Sequence, residues 1–286
     1  MTQPILTLSA PGLDDLTLDH RDGWIVQREF DAGDAVVRAV AENAPGADGE
    51  IDSTTLTGGR SVVIPVVIEA PSPSELEAME RRLRAFTNAR LRPTLTLTRP
   101  GGPAKQIQVR HASWTAQGIA DAATLVVWET RAPSGIWEAA TETFFEVAAS
   151  EDATDGIDWP IDWPIDWGSP SSPGLIEVTN DGDRDAFPVL HLHGAWSDET
   201  RVQNLTTGRE LVFDGLSVTD GDYLEVDMRA ATVFLNGDPA ESRLGYRVFP
   251  ESSFWALAPG VNVLRFLAET SSSPARMAGR FRAAYG

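Results

Sequence analysis

The sequence predicts a mainly β protein of two domains. Three observations predict it. Short runs of alternating apolar residues recur along most of the chain, Gly, Pro, Asn and Asp separate them, and only one segment has helical periodicity. At 286 residues, the chain is long enough to bury two separate cores. A content of 42% hydrophobic and 23% charged residues is that of a globular protein.

The first domain is expected over residues 1–147. Its candidate strands are 24–30, 35–40, 61–69, 94–98, 106–111 and 125–129. A long loop is expected around 43–58, where a variable or interacting structure would sit. Gly58-Gly59-Arg60 reads as a turn, because no helix follows it to make a phosphate cradle. One helix is expected over 73–89. Ser72-Pro73-Ser74-Glu75 has the form of a capping box with proline at the first helical position. Leu76, Met79, Leu83 and Phe86 then recur at helical spacing, as a stripe to lie on a sheet. Glu75, Glu77 and Glu80 precede Arg81, Arg82 and Arg84, an order that suits the helix dipole.

Residues 146–185 mark the boundary, with eleven acidic residues and one arginine. Within them, 148–173 reads as an acidic linker built on Ile157-Asp-Trp-Pro-Ile-Asp-Trp-Pro-Ile-Asp-Trp-Gly168. A proline every fourth residue forbids a helix, so the tract should be extended. Alternation then turns Ile157, Trp159, Ile161, Trp163, Ile165 and Trp167 to one face and the aspartates and prolines to the other. Pro160 and Pro164 leave gaps along one edge of the ladder. Such a ribbon needs an apolar surface. It is either an edge strand on its own sandwich or a clamp between subunits or domains, and these six residues are the candidate interface.

The second domain is expected over 174–286. Eight short strands are read at 175–179, 188–193, 201–205, 209–213, 223–228, 232–235, 245–248 and 261–268. Thr206-Thr207-Gly208 and Asn236-Gly237 are compact hairpin turns, and Pro259-Gly260 is a type II turn pair. This spacing fits a jelly-roll or galectin-like β-sandwich.

Charge and motif content exclude several functions. The net charge of −19, with a pI near 4.5, leaves no cationic surface for phosphate contacts, so nucleic acid binding is not expected. Such a chain could still line a passage that repels DNA. There are no cysteines, hence no disulfides or thiolate chemistry. No leader peptide is read at the start, and no run approaches the roughly 20 apolar residues that span a bilayer. Synthesis in the cytoplasm is expected.

Neither a nucleophile elbow nor a Walker loop is present. His191 and His193 share a strand face as zinc ligands can, but no third ligand is indicated. Asp181-Gly-Asp-Arg-Asp185 opens like a calcium loop, but Leu192 stands where the twelfth-position glutamate belongs. No metal, cofactor or catalytic residue is therefore assigned. Trp196 and Trp255 are candidates for sugar stacking, although burial is the better reading of them.

Two groups of motifs resemble those of the distal tail proteins of siphophages, of the type found in phages of actinobacteria. The first runs from Gly58-Gly-Arg-Ser-Val-Val-Ile-Pro65 through the helix to the strands near 94–98 and 106–110. The second comprises Asn180-Asp-Gly-Asp183, Phe187-Pro-Val-Leu-His-Leu-His-Gly194, Asn204-Leu-Thr-Thr-Gly208, Gly221-Asp222 and Trp255-Ala-Leu-Ala-Pro-Gly-Val-Asn262.

The resemblance implies an N-terminal split β-barrel with a helix, closing into a ring that is usually a homohexamer, and an outward galectin-like sandwich. It implies a structural virion protein, not an enzyme, assembled in the host cytoplasm. The ring would join the tail tube to the tail-tip hub and baseplate proteins, with receptor-binding proteins as further partners. The alternative is a carbohydrate-binding module that adheres to the host surface.

Overall fold

The run Val62-Val-Ile-Pro-Val-Val-Ile68 is apolar at every position, a pattern that suits a strand buried on both faces. In the computed structural model, which describes residues 4–27, 30–38, 42–43, 50–51, 56–150, 174–271 and 275–286, it lies inside the 14-residue strand Leu56–Glu69. The chain divides into two units, Met1–Ala140 with Tyr285–Gly286, and Thr141–Ala284. The crossing between them falls ahead of the 148–173 tract read as the linker. Among the described residues the protein is mainly β, with one α-helix.

The first unit has two antiparallel sheets. One runs in the order Leu16–Leu18, Ile5–Ser9, Thr94–Thr98, Lys105–Gln108, Trp137–Ala139, with the chain's return at Tyr285 on its edge. The other is Arg110–Ala120, Ala123–Ala132, Leu56–Glu69, Trp24–Val26, with Ala35–Arg38 also pairing to the long strand. Strict alternation buries Leu6, Leu8, Leu95 and Leu97 from the first sheet, and Val62, Ile64, Val66, Ile68 and Trp128 from the second.

The helix is Pro73–Arg84, capped by Ser72, whose hydroxyl accepts from the Glu75 amide at 3.3 Å. It tightens into a 3₁₀ turn at Ala85–Thr87, and Leu83 and Phe86 are fully buried.

Gly58-Gly59-Arg60 is not a turn. It opens the long strand, and a side chain at Gly59 would press against the Ala132 carbonyl, so the glycine serves a close strand approach. Arg60 is buried. Its Nε donates to Gly135 O at 2.8 Å and its Nη1 to Gly33 O at 3.0 Å, tying two loops to the strand. Of the loop expected at 43–58, the described parts are the Glu42–Asn43 and Glu50–Ile51 pair and the strand start at Leu56.

The second unit also has two antiparallel sheets. The five-stranded one runs Thr143–Ala148, Arg276–Phe281, Val189–His193, Tyr223–Asp227, Thr232–Leu235. The four-stranded one runs Leu175–Asn180, Gly260–Ser271, Trp196–Asn204, Arg209–Phe213. One face of each is apolar and buried, with Leu190, Leu192 and Val226 on the first and Val202, Leu264 and Phe266 on the second. Two such faces in one unit make a two-layer sandwich.

The expected strand at 245–248 is absent. A 3₁₀ turn occupies Leu244–Tyr246, and only Arg247 bridges to Phe213. Gly245 and Pro250 leave too few residues for a ladder. The expected Asn236-Gly237 turn is formed, with φ of 52° and 70° and the Asp238 amide donating to Leu235 O at 3.0 Å.

Candidate functional site

Alternation along the long strand sends Val63, Pro65 and Val67 to the face opposite the core. The antiparallel registers set Ile25 and Leu125 beside Val67, and Gln27 and Val127 beside Pro65. Ile25, Val63, Val67, Leu125 and Val127 are only half-buried. The second face of this sheet is thus an apolar stripe three strands wide. Soluble domains seldom leave such a stripe without a partner.

Beside it, strand Arg110–Ala120 forms the edge of the sheet, and no described strand pairs with its outer side. Eleven residues long and exposed at most positions, it includes Ile119 at 59% exposure. Trp114 and His111 pin its start. The Arg84 guanidinium lies 5.2 Å from the Trp114 ring, and Trp128 Nε1 donates to His111 Nδ1 at 3.1 Å. A long, unprotected edge invites pairing with another chain. Here it adjoins the apolar stripe, so one surface offers both backbone hydrogen bonds and greasy side chains.

The six residues of the predicted ribbon, Ile157, Trp159, Ile161, Trp163, Ile165 and Trp167, lie outside the described residues. Their flanks are described, and both belong to the second unit. The Ser150 amide donates to Phe266 O at 3.0 Å, the Phe266 amide to Gly174 O at 2.9 Å, and the Ala268 amide to Ser150 O at 3.1 Å. Both flanks thus meet strand Gly260–Ser271 at neighbouring residues.

Trp196 and Trp255 are 3% and 1% exposed, so neither is available to stack on a sugar. His191 and His193 do share a strand face. His191 meets a carboxylate, with Nε2 at 3.1 Å from Glu225 Oε2. His193 sits below its ordinary pKa, first because of burial and then because of Arg276 and His191 nearby. No group of three metal-binding side chains stands together among the described residues. At Asn180-Asp-Gly-Asp183, the Gly182 amide donates to Asn180 Oδ1 at 3.1 Å, which makes the segment a side-chain-closed turn.

Three buried asparagines organise one end of the sandwich. Asn180, Asn204 and Asn262 are 1%, 0% and 0% exposed. Asn204 Nδ2 donates to Asn262 Oδ1 at 3.3 Å, and its own Oδ1 accepts from the Thr206 and Thr207 amides at 3.1 and 3.2 Å. Asn262 Nδ2 donates to Ala258 O at 2.8 Å and Gly260 O at 3.0 Å, while its Oδ1 also accepts from the Ala258 amide at 3.0 Å.

These asparagines recur at turns because each fixes a loop with its own amide, and two of them fall in the segment that matches a family model. Residues 181–285 match the model of the siphovirus-type tail component, C-terminal domain. The chain resembles the distal tail proteins of siphophages. Over 98% of its length it is similar to 99% of SPP1 Dit, described as a paradigm of the hub adsorption apparatus in phages that infect Gram-positive bacteria, with a TM-score of 0.65 and 13% identity. At that identity the likeness is one of fold.

The phage P2 baseplate in its activated conformation, with Ca and with Sr, gives TM-scores of 0.46 and 0.45 at 11% identity, over 98% and 97% of this chain and 98% of the other chain in both. Those scores are too low to bear on the fold. No curated protein matches the chain at a significant level. Sequence reasoning found the second-unit motifs but missed the stripe. Its signal was the unbroken apolar run at 62–68, which one buried face cannot account for.

Proposed function

We propose that this chain is a structural component of the distal siphophage tail, whose copies close into a ring, a homohexamer by family resemblance, between the tail tube and the tail-tip hub. The observation that carries this reading is the apolar stripe of the first unit beside the edge of Arg110–Ala120, which is unpaired among the described residues. A neighbouring copy that pairs with the edge also covers the stripe, and repetition of one such heterologous contact closes a ring. The ring-forming first unit, the galectin-like character of the second and its outward placement belong to the same proposal.

The Asp-Trp ribbon then serves neighbouring copies as a clamp. Both of its flanks join one unit, so it need not bridge the two. Contact with tail tube, hub, baseplate and receptor-binding proteins follows from the ring's position in the virion.

The test is the mass and shape of the purified chain by sedimentation and negative-stain microscopy. A ring is expected. Val67→Lys places a charge in the stripe and is expected to yield monomers with unchanged circular dichroism. A wild-type chain that stays monomeric at all concentrations, or a Val67→Lys chain that still forms rings, rejects the reading.

A further inference from the structure

Ala278 lies on the outer face of the five-stranded sheet in the second unit, on the strand next to the Thr143–Ala148 edge. Strand register sets Glu146 on one side of it and His191 on the other, with Glu225 beyond His191. Arg276 and Arg280 flank it on its own strand and face the same way, since Met277 and Gly279 between them are buried. His193 and Tyr223 complete the next row, beside Arg276. A methyl group surrounded by long side chains leaves a shallow depression. Its floor is rigid, because the strand of Ala278 is hydrogen-bonded on both sides.

The rim carries paired charges. Arg276 Nε lies 3.0 Å from Glu146 Oε1, and His191 Nε2 lies 3.1 Å from Glu225 Oε2. The Arg276–Glu146 pair offers donors and an acceptor side by side while largely cancelling its own charge, and the His191–Glu225 pair sets an imidazole beside a carboxylate. Three half-buried rings stand next to them. The Tyr223 ring centroid is 4.8 Å from that of His191 and 5.6 Å from that of His193.

We propose that this depression over Ala278 is a binding site for a neutral saccharide residue bearing vicinal hydroxyls. A hydroxyl both donates and accepts, and a vicinal pair spans a guanidinium–carboxylate or imidazole–carboxylate couple. The C–H face of a pyranose finds apolar area on the rings. Balanced charge gives a free ion no advantage here, and the shallow, wettable floor disfavours a large apolar ligand. Burial, with Arg276 and His191 nearby, lowers the pKa of His193 and so favours its neutral form, which donates at one nitrogen and accepts at the other. The residues differ from the buried tryptophans, and the site is independent of ring assembly.

The test is saturation-transfer NMR on the full chain with glucose, galactose, mannose, rhamnose and N-acetylglucosamine. Saturable binding of at least one sugar is expected, with Kd on the order of 1 mM for so open a site. Ala278→Gln fills the depression, and Glu225→Gln removes an acceptor while keeping shape. Each is expected to weaken binding at least about tenfold, with the sedimentation profile unchanged. If Ala278→Gln fails to fold, Glu225→Gln decides. Absence of binding by all five sugars at tens of millimolar, or equal binding by wild type and a folded variant, overturns the proposal. Loss of assembly with intact sugar binding would reject the ring alone.

Discussion

Single side chains in this protein act mainly by closing loops. Asn262 makes four hydrogen bonds from a fully buried position. Asn262→Leu keeps the volume but strips the Ala258 amide and two carbonyls of a partner. Leaving a buried polar group unsatisfied costs about 1–3 kcal/mol, so the variant is expected to lose about that much in urea denaturation with an unchanged m-value.

His193 gives the second unit a pH dependence of known sign. Its folded pKa lies below the ordinary 6.5, so the unfolded chain binds a proton more readily. Stability is therefore held above 6.5 and lost as pH falls from there towards the folded value. The surrounding groups are Arg276, His191 and Glu146, of which only Glu146 opposes the shift. Melting temperatures from pH 8 to pH 5 should fall less steeply in His193→Gln than in wild type. Parallel curves would assign the slope to other groups.

Among the elements, legibility followed the strength of the local signal. The helix was readable because Ser72, Pro73 and Glu75 each act on the first turn. Strand 94–98 was readable because alternation coincides with real burial, whereas 209–213 and 232–235 were readable as short apolar runs between turn residues. Arg276–Phe281 was not read, since Ala278 and Gly279 present no large side chain to show the period, although the backbone pairs on both sides. Gly58-Gly59 misled in the opposite direction, because close packing against Ala132 needs the residue that usually signals a turn.

For the site, the run 62–68 held the information, but a second buried face shows itself only once the first has been assigned to the core. The tryptophan ribbon lies outside the described residues, and its role as a clamp belongs to the proposal. Trp159, Trp163 and Trp167 changed together to Ser should lower the dissociation temperature of the proposed ring. Ser150, Phe266, Gly174 and Ala268 are hydrogen-bonded without the ribbon, so melting of the separated subunit should stay the same. Full burial of a large side chain is worth about 1.5–3 kcal/mol, so losing three should be plain in a thermal ramp followed by native mass spectrometry. An unchanged ring would show that the ribbon does not join copies.

For the whole molecule, charge decides how assembly responds to salt. Each copy carries a formal charge of −19, and the proposed ring would bring several such copies within a few Debye lengths of one another, each of about 8 Å at physiological ionic strength. Self-repulsion opposes the contact, while the stripe of Ile25, Val63, Val67, Leu125 and Val127 favours it with an energy that salt does not screen. Raising the salt therefore removes the opposing contribution and leaves the favourable one. Sedimentation at low micromolar concentration is expected to show more ring at 0.5 M than at 0.05 M NaCl, whereas an interface held by ion pairs would dissociate over that range. The same charge distribution would turn DNA away from the wall of a passage through the ring. Tighter assembly at low salt would thus weigh against both the apolar contact and the acidic lumen.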